Sequence, residues 1–224
     1  MFADIAPRYD LLNRVLSFGI DRSWRRKTVS AMALPRGHRL LDLCCGTGDL
    51  SLAFSADGAQ VIGADFTGPM LPLAQSKAAK ANRRVHWAQA DAQSLPFQDA
   101  SFDGVSIAFG IRNVHSPDRA LTECLRVLRP GGKLAILEFF PMKNQVWKAC
   151  FGFYFRQILP RLARLVRAGR TGAYDYLPAS VESFATTQRF ASWLEEAGFQ
   201  GIKKTAFTGG VSHLFLAHAP EDRD

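Results

Sequence analysis

The 224-residue sequence has no apolar run of the length that a membrane-spanning helix requires, which is roughly 18 to 20 residues. It also has few cysteines, and none of them forms a C-x-x-C pair or lies near a histidine cluster: Cys44, Cys45, Cys124 and Cys150. These absences argue against a transmembrane span and a zinc site, and they favour reduced thiols in a cytoplasmic protein. The first ten residues, with early acids and no apolar core, are not typical of a signal peptide.

Acidic residues are missing from residues 143–170, although the whole chain has 20 of them against 28 lysines and arginines. The stretch carries seven basic residues, Lys143, Lys148, Arg156, Arg161, Arg164, Arg167 and Arg170. Nucleic acid and an anionic membrane surface both suit such a stretch. Apolar residues recur there at steps of three and four: Trp147, Phe151, Tyr154, Ile158, Leu162 and Leu165. They predict an amphipathic helix that either faces the core or forms a lid.

Short apolar strands alternate with helices through most of the chain. We predict strands at 39–44, 61–65, 85–91, 103–109 and 134–139, and helices at 49–56, 69–81 and 117–128. A sharp turn at 130–132 precedes the fifth strand, and after an insertion at 141–180 a helix at 187–197 leads to a hairpin of 202–207 and 213–217. The pattern predicts an α/β fold with a doubly wound, mostly parallel seven-stranded sheet. We expect one domain over residues 1–224, with residues 1–34 as a helical cap.

The turn after the first strand has only two glycines, Gly46 and Gly48, on either side of Thr47. A dinucleotide site would need G-x-G-x-x-G, so that a pyrophosphate meets the following helix. Here Asp49 stands in the first helical turn, where it would repel pyrophosphate and suit a cationic amino group. Asp65 ends the second strand and can accept hydrogen bonds from both hydroxyls of a ribose. The spacing favours S-adenosylmethionine over NAD, although the turn alone is also compatible with an ordinary strand-to-helix connection.

The third strand ends in Asp91 and Ala92, where a carboxylate can accept a hydrogen bond from the amine of an adenine. Ligands of doubly wound sheets bind at the carboxyl ends of the strands. Three adjacent strand ends would then hold the amino acid, the ribose and the adenine in turn. This ordered set is more specific than any one of its parts.

Several longer stretches carry a family resemblance. They lie at residues 9–13, 16–19, 41–50, 64–66, 69–71, 107–114 (I-A-F-G-I-R-N-V), 126–132 (R-V-L-R-P-G-G), 138–139, 174–178 (Y-D-Y-L-P) and 197–199. The chain resembles the class I S-adenosylmethionine-dependent methyltransferases, and more closely the quinone-biosynthesis C-methyltransferases of the ubiquinone/menaquinone family. The resemblance implies a Rossmann-like fold and methylation of a ring carbon of a prenylated demethylquinol, with demethylmenaquinol favoured over a benzoquinol.

The resemblance also implies cofactor contacts at Thr47, Asp65, Asp91 and Ala92. Three positions depart from the family pattern. Ala108 stands where a serine is frequent, Arg14 where an acid is usual and Asp21 where a histidine is common. The departures concern the details of contact at the cofactor and the N-terminal region, and they leave the reaction class as it is.

Catalytic candidates follow the fourth strand at Arg112 and Asn113. Arginine stays protonated at neutral pH, so Arg112 is interpreted as an oxyanion stabiliser and Asn113 as a group that orients a hydroxyl. The alternative is that Arg112 pairs with a structural acid. Tyr154 and Tyr176 are candidate substrate contacts, and both, with His115 and Asp175, are also candidates for proton removal.

Two other functions fit parts of the sequence. A methyltransferase acting on RNA or another small molecule would suit the basic charge, but G-I-R-N stands where base methyltransferases commonly have a D/N-P-P-Y/F-type motif. A non-catalytic membrane-surface protein is disfavoured by the intact set of Gly46, Gly48, Asp65 and Asp91. We therefore expect a prenylated quinol as partner, no nucleic acid and no metal. We also expect peripheral contact with the inner face of the membrane, with a homodimer left open.

Overall fold

The sheet places its first strand beside its fourth, which creates a topological switch point in the middle of the fold. The computed structural model describes residue 17, residues 19–141 and residues 173–222. Within them the strands are β1 (Arg39–Leu43), β2 (Gln60–Asp65), β3 (Val85–Gln89), β4 (Phe102–Ala108), β5 (Leu128–Phe139), β6 (Gln200–Phe207) and β7 (Ser212–His218). Their order is β3-β2-β1-β4-β5-β7-β6.

Pairing is parallel from β3 to β5 and antiparallel where β7 joins β5 and β6. The predicted doubly wound, mostly parallel seven-stranded sheet is thereby confirmed. The predicted hairpin is also confirmed as β6 and β7, with β7 inserted between β5 and β6.

The helices within the described residues are α1 (Asp21–Met32), α2 (Asp49–Asp57), α3 (Leu71–Lys80), α4 (Pro117–Val127), α5 (Ala173–Ser183) and α6 (Thr187–Glu196). Local sequence explains several of their ends. α2 starts after Gly48 and stops at Gly58, both in the left-handed region that glycine tolerates. α4 begins with a proline in its first turn, as predicted. The Thr186 hydroxyl caps α6 by accepting a hydrogen bond from the Arg189 amide.

Alternate residues of the central strands pack on opposite faces of the sheet. Leu41 and Ile136 belong to a core shared with α4 and α6. Leu40 and Leu137, their neighbours along the chain, belong to a second core shared with α1 and α2. Successive side chains of a strand point to opposite faces of the sheet, and helices cover both faces here. Every position of these strands therefore favours an apolar residue, which explains their continuous apolar runs.

Two elements differ from the predicted bounds. β5 begins at Leu128, so residues 130–132 lie within the strand. The backbone is irregular there, because Phe102 and Gly104 of β4 pair with Leu128 and Lys133 of β5 and Gly131 has a φ of 68°. The predicted sharp turn is therefore present as a bulge inside the strand. The Gly131 amide donates to the carbonyl of Pro220, and the Gly132 carbonyl accepts from Ala219, so pairing with the C-terminal segment extends the strand. α5 occupies the end of the predicted insertion and contains Pro178 in its interior.

Several predictions lie outside the described residues. They concern residues 1–16, the basic stretch and apolar stripe of residues 143–170, and Tyr154. Among the helices of the described ranges, none combines the length and apolar character that crossing a bilayer demands.

Candidate functional site

A cleft opens where the carboxyl ends of β1 and β4 lie side by side. It is open to solvent and is lined by Arg25, Asp42, Cys44, Cys45, Thr47, Asp49, Leu50 and Ala108. Doubly wound sheets bind their ligands at this kind of switch point. Burial raises the pKa of the Cys44 and Cys45 thiols, so both line the cleft as neutral groups. Of the predicted cofactor-binding residues, Thr47 lines this cleft.

The backbone leaves both central strands in an unusual conformation. Cys44, just after β1, and Phe109, just after β4, have φ values of 53° and 58°, in the left-handed region. A Cβ at Gly110 would lie 2.2 Å from the Cβ of Cys44, so only glycine allows this approach. Such conformations cost about 1–3 kcal/mol each and cluster at functional sites. The backbone therefore departs from regular strand geometry just after β1 and just after β4, where the cleft lies.

The Asp65 carboxylate is tied to the glycine turn. One oxygen accepts a hydrogen bond from the Gly46 amide at 2.8 Å, and the other accepts from the Thr67 amide at 2.7 Å. A carboxylate offers about four acceptor positions, so about two remain for a ligand. The structure brings together the two parts of the predicted cofactor motif, since Asp65 and Gly46 are in direct contact.

A tryptophan fills the space behind the turn. A Cβ at Gly48 would lie 2.5 Å from the Trp87 ring, and so would a Cβ at Gly63, the cross-strand partner of Trp87. Gly48 also has a φ of 82° at the start of α2. The second glycine of the turn is therefore required by conformation and by packing.

A network of charges surrounds Thr47. Lys77 on α3 donates to the Thr47 hydroxyl at 3.0 Å and forms an ion pair with Asp49 at 2.6 Å. Asp49 lies 4.0 Å from Arg25 on α1, and Arg25 pairs in turn with Asp21. The sequence pattern points to Asp49 and Thr47 but not to Lys77 and Arg25, because these two reach the turn from other helices.

A buried carboxylate was also missed. Asp42, in the middle of β1, accepts hydrogen bonds from the hydroxyls of Ser51 at 2.5 Å and Ser106 at 2.6 Å. All three residues are at most 1% exposed. Burial raises the pKa of Asp42 to about 6, although the two hydroxyls oppose this shift. An acid inside the apolar run L-L-D-L was the sequence signal for this site.

Asp91 sits in a preorganised turn after β3. Its carboxylate accepts hydrogen bonds from the amide and the side chain of Gln93, which hold its pKa below the ordinary value. The Gln93 side-chain oxygen accepts from the Ser116 amide at 3.0 Å, and Ala92 is buried beside them. The Ala90 amide donates to the Asp65 carbonyl, so the second and third predicted cofactor positions are adjacent.

Arg112 follows β4 and is bound to a buried acid. Its Nη1 donates to Glu138 at 2.5 Å and to the carbonyl of Phe109 at 2.9 Å, while Nε donates to the Ser180 hydroxyl at 3.3 Å. The Arg112 side chain is 7% exposed and that of Glu138 is fully buried. Burial raises the pKa of Glu138, and the Arg112 charge opposes this shift. The sequence analysis named such an acid as the alternative to catalysis without identifying Glu138.

Asn113 is joined to α5. The Tyr176 hydroxyl donates to the Asn113 side-chain oxygen at 2.7 Å, and the Asn113 side chain donates to the Phe109 carbonyl at 3.4 Å. The structure thus brings together two of the predicted substrate-side residues, Asn113 and Tyr176, across 63 positions of sequence. The side chain of Asp175 lies outside what the structure describes, and His115 is exposed.

Comparison with known proteins adds the family. The sequence profile of the ubiE/COQ5 methyltransferase family matches residues 1–218. The chain is 45% identical over 222 residues to the demethylmenaquinone methyltransferase of Thermus thermophilus, which covers 98% of this chain and 100% of that protein. It is 40% identical over 220 residues to the ubiquinone/menaquinone biosynthesis C-methyltransferase UbiE of Geobacter sulfurreducens, covering 96% and 85%.

Solved structures agree on the fold. Phosphoethanolamine N-methyltransferase 2 of Haemonchus contortus superposes with a TM-score of 0.66 at 17% identity, covering 88% of this chain and 52% of that chain. A SAM-dependent methyltransferase of Aquifex aeolicus gives 0.62 at 18% identity, covering 87% and 88%. At these low identities the structural similarity shows only that the fold is Rossmann-like. The family follows from the sequence matches. The chain belongs to the ubiE/COQ5 methyltransferase family.

Proposed function

We propose that this protein transfers a methyl group from S-adenosylmethionine to a ring carbon of a prenylated demethylquinol in menaquinone biosynthesis. The observation that carries the proposal is full-length similarity to a demethylmenaquinone methyltransferase at 45% identity. The cleft at the end of β1 and β4, with Asp65 beside it, supports the same reaction. Demethylmenaquinol is the favoured substrate, and a demethylated benzoquinol is the nearest alternative.

The residues of the cleft and of the adjacent strand ends fit S-adenosylmethionine. Asp65 retains acceptor positions for the two ribose hydroxyls, and Asp91 and Ala92 flank the proposed adenine site. Asp49 and Asp42 provide negative charge for an ammonium group, while a pyrophosphate would be repelled by them. Gly46, Thr47 and Gly48 form the proposed contact surface for the amino acid part. When bound, the cofactor supplies an electrophilic methyl group on a sulfonium.

The proposed role of Arg112 is to stabilise the oxyanion of the quinol. Because arginine keeps its proton, Arg112 is not the general base. Its ion pair with Glu138, its bond to the Phe109 carbonyl and its position over the Phe139 ring at 5.6 Å fix the guanidinium in one orientation. A positive charge held in this way stabilises a developing negative charge without reorganising during the reaction.

Asn113 and Tyr176 are proposed to orient the ring hydroxyl. Their mutual hydrogen bond at 2.7 Å links the end of β4 to α5. A side chain that is itself positioned by a neighbour holds a substrate group more precisely than one that rotates freely. Tyr154, outside the described residues, remains a proposed substrate contact on sequence grounds.

The remaining part of the proposal concerns the membrane and the domain organisation. We infer that residues 1–224 act as one methyltransferase domain and that residues 141–180 cover the isoprenoid tail. The seven basic residues of 143–170 are proposed to attach the protein to the anionic inner face of the membrane, at roughly 1 kcal/mol for each residue near the surface. We propose that the substrate is not a nucleic acid, since G-I-R-N stands where base methyltransferases commonly have a D/N-P-P-Y/F-type motif.

Two measurements test the reaction. A strain lacking the gene should accumulate the demethylated quinone, and the unaltered gene should restore the methylated form. Purified protein should transfer labelled methyl to a short-chain demethylmenaquinol, with mass spectrometry locating the methyl on a ring carbon. An unchanged quinone profile, combined with methylated RNA lost from the strain, would favour the RNA methyltransferase instead.

A further inference from the structure

The cation that lines the cleft comes from α1, a helix that precedes the sheet. Arg25 is the one cationic side chain among the described residues that line the cleft, and only 8% of it is exposed. It shares the cleft wall with Asp42, Thr47 and Asp49. A largely buried arginine requires a compensating partner, because an unpaired buried charge is costly.

Contacts on two sides orient this guanidinium. Asp21, one turn earlier on α1, forms an ion pair with it, and the face of the Phe109 ring lies 5.5 Å away. Asp49 is more distant, at 4.0 Å, and is already paired with Lys77 at 2.6 Å. A guanidinium has five donors in a planar fork and can bind a second carboxylate while retaining the first.

The charges of the cleft match an amino acid. The acids Asp42 and Asp49 line it together with one arginine, so the wall offers sites of both signs. The methionine part of S-adenosylmethionine carries an ammonium and a carboxylate on the same carbon. The ammonium suits the acids, which leaves the carboxylate for the arginine. An anion without an ammonium, such as a phosphate, would meet the same acids without compensation.

We propose that Arg25 binds the carboxylate of the methionine moiety and that Asp21 is the positioning residue that holds its guanidinium in place. The inference rests on the proposed binding of S-adenosylmethionine in this cleft. It makes α1 part of the cofactor site, whereas the sequence analysis treated residues 1–34 only as a cap. It also gives a role to Asp21, one of the positions that depart from the family pattern.

Calorimetry with two ligands tests the proposal directly. S-Adenosylhomocysteine has the carboxylate, and its decarboxylated analogue has a hydrogen atom in that place. The unaltered protein should prefer S-adenosylhomocysteine by about tenfold or more, the range for a hydrogen bond to a charged group. Arg25→Gln should lose this preference and bind the decarboxylated analogue as tightly as the parent does.

Matched variants separate binding from folding. Arg26→Gln removes the same charge from an exposed neighbour on the same helix and should keep the full preference. Arg25→Gln leaves the buried Asp21 with the Ser17 hydroxyl as a hydrogen-bond donor but without its cationic partner. The double variant Asp21→Asn with Arg25→Gln removes both charges and should show the same lost preference with better stability. Thermal unfolding of each variant establishes that it is folded.

Three results would overturn the assignment or its basis. A folded Arg25→Gln or double variant that keeps the parent's preference contradicts the role of Arg25. If Lys77→Gln loses the preference while Arg25→Gln keeps it, the carboxylate belongs to Lys77. A parent protein that binds neither ligand would instead contradict the proposed function.

Discussion

The two halves of the candidate site are held together in different ways. On the cofactor side, side-chain contacts such as that of Lys77 with Asp49 are joined by backbone amides that bind a carboxylate: Gly46 and Thr67 donate to Asp65. On the substrate side, side chains bind one another: Arg112 pairs with Glu138, and Tyr176 with Asn113. Backbone contacts near a turn depend on local conformation, whereas side-chain pairs depend on the identity of both partners. The backbone contacts of Asp65 should therefore tolerate substitution of distant side chains, whereas the Arg112–Glu138 and Asn113–Tyr176 pairs should fail when either member changes.

The largest effect is expected from Arg112→Ala. Removing the arginine leaves the fully buried Glu138 without its partner, which should lower the free energy of unfolding by about 3–5 kcal/mol. Denaturant unfolding measures this loss. The double variant Arg112→Met with Glu138→Gln removes both charges and should recover most of the stability.

Turnover of that double variant distinguishes the two roles of Arg112. If Arg112 stabilises the oxyanion, methyl transfer stays low although the protein is stable and binds the cofactor normally. Recovery of turnover together with stability would show that the pair is structural.

A pH effect of about 3 kcal/mol is expected on the cofactor side at Asp42. Burial raises its pKa from the ordinary 3.8 to about 6, so the folded protein holds this proton more tightly than the unfolded chain. The stabilisation from this bound proton is fully present below pH 3.8, the pKa in the unfolded chain. It is lost as the pH rises through about 6, the pKa in the folded protein. Asp42→Asn, which has no such proton, should lack this decline. Unfolding free energies measured across that pH range should diverge between the two proteins, and parallel curves would contradict the assignment.

A smaller effect, about 1.5–3 kcal/mol in cofactor affinity, is expected for Asp65→Ala. The ribose loses its acceptor, and the Gly46 and Thr67 amides lose theirs as well. Calorimetry with S-adenosylhomocysteine measures the loss, and Asp65→Asn, which keeps one acceptor oxygen, should lose less. Unchanged affinity in a folded Asp65→Ala variant would exclude Asp65 as the ribose ligand.

The smallest effect is expected for Tyr176→Phe, which deletes one neutral hydrogen bond to Asn113. A loss of about 1 kcal/mol in kcat/KM for the quinol is expected, with cofactor affinity unchanged. Steady-state kinetics with a short-chain quinol give the value. If the substitution weakened cofactor binding instead, the division of the site into two halves would be wrong.

The sequence predicted where the proposed cofactor-binding residues lie in the fold, because these residues stand at strand ends. Gly46, Gly48, Asp65 and Asp91 each follow or end an apolar run, and the order of a doubly wound sheet brings those ends together. Local patterns were enough, since each contact needs only the fold class and the correct strand boundary.

The substrate half was predicted only in part. Arg112 and Asn113 were identified, but their partners are separated from them by 26 to 68 residues of sequence. Glu138 lies inside an apolar strand and Ser180 in a helix that contains a proline, so neither followed from periodicity. Pairing at such distances depends on how β5 and α5 pack, which no local pattern encodes.

The indole of Trp87 also makes the replacement of Gly63 depend on an earlier substitution elsewhere. Gly63 has an ordinary backbone conformation, and what forbids a side chain there is the ring of its cross-strand partner. A lineage that first replaced Trp87 by a smaller residue would then need only a small shift of the Ser51 hydroxyl, 3.1 Å from the new Cβ, to replace Gly63. The reverse order would pass through a steric clash with the ring. Gly48 would remain fixed in either case because of its φ of 82°. The history of this edge of the sheet therefore depends on the order in which substitutions arrive.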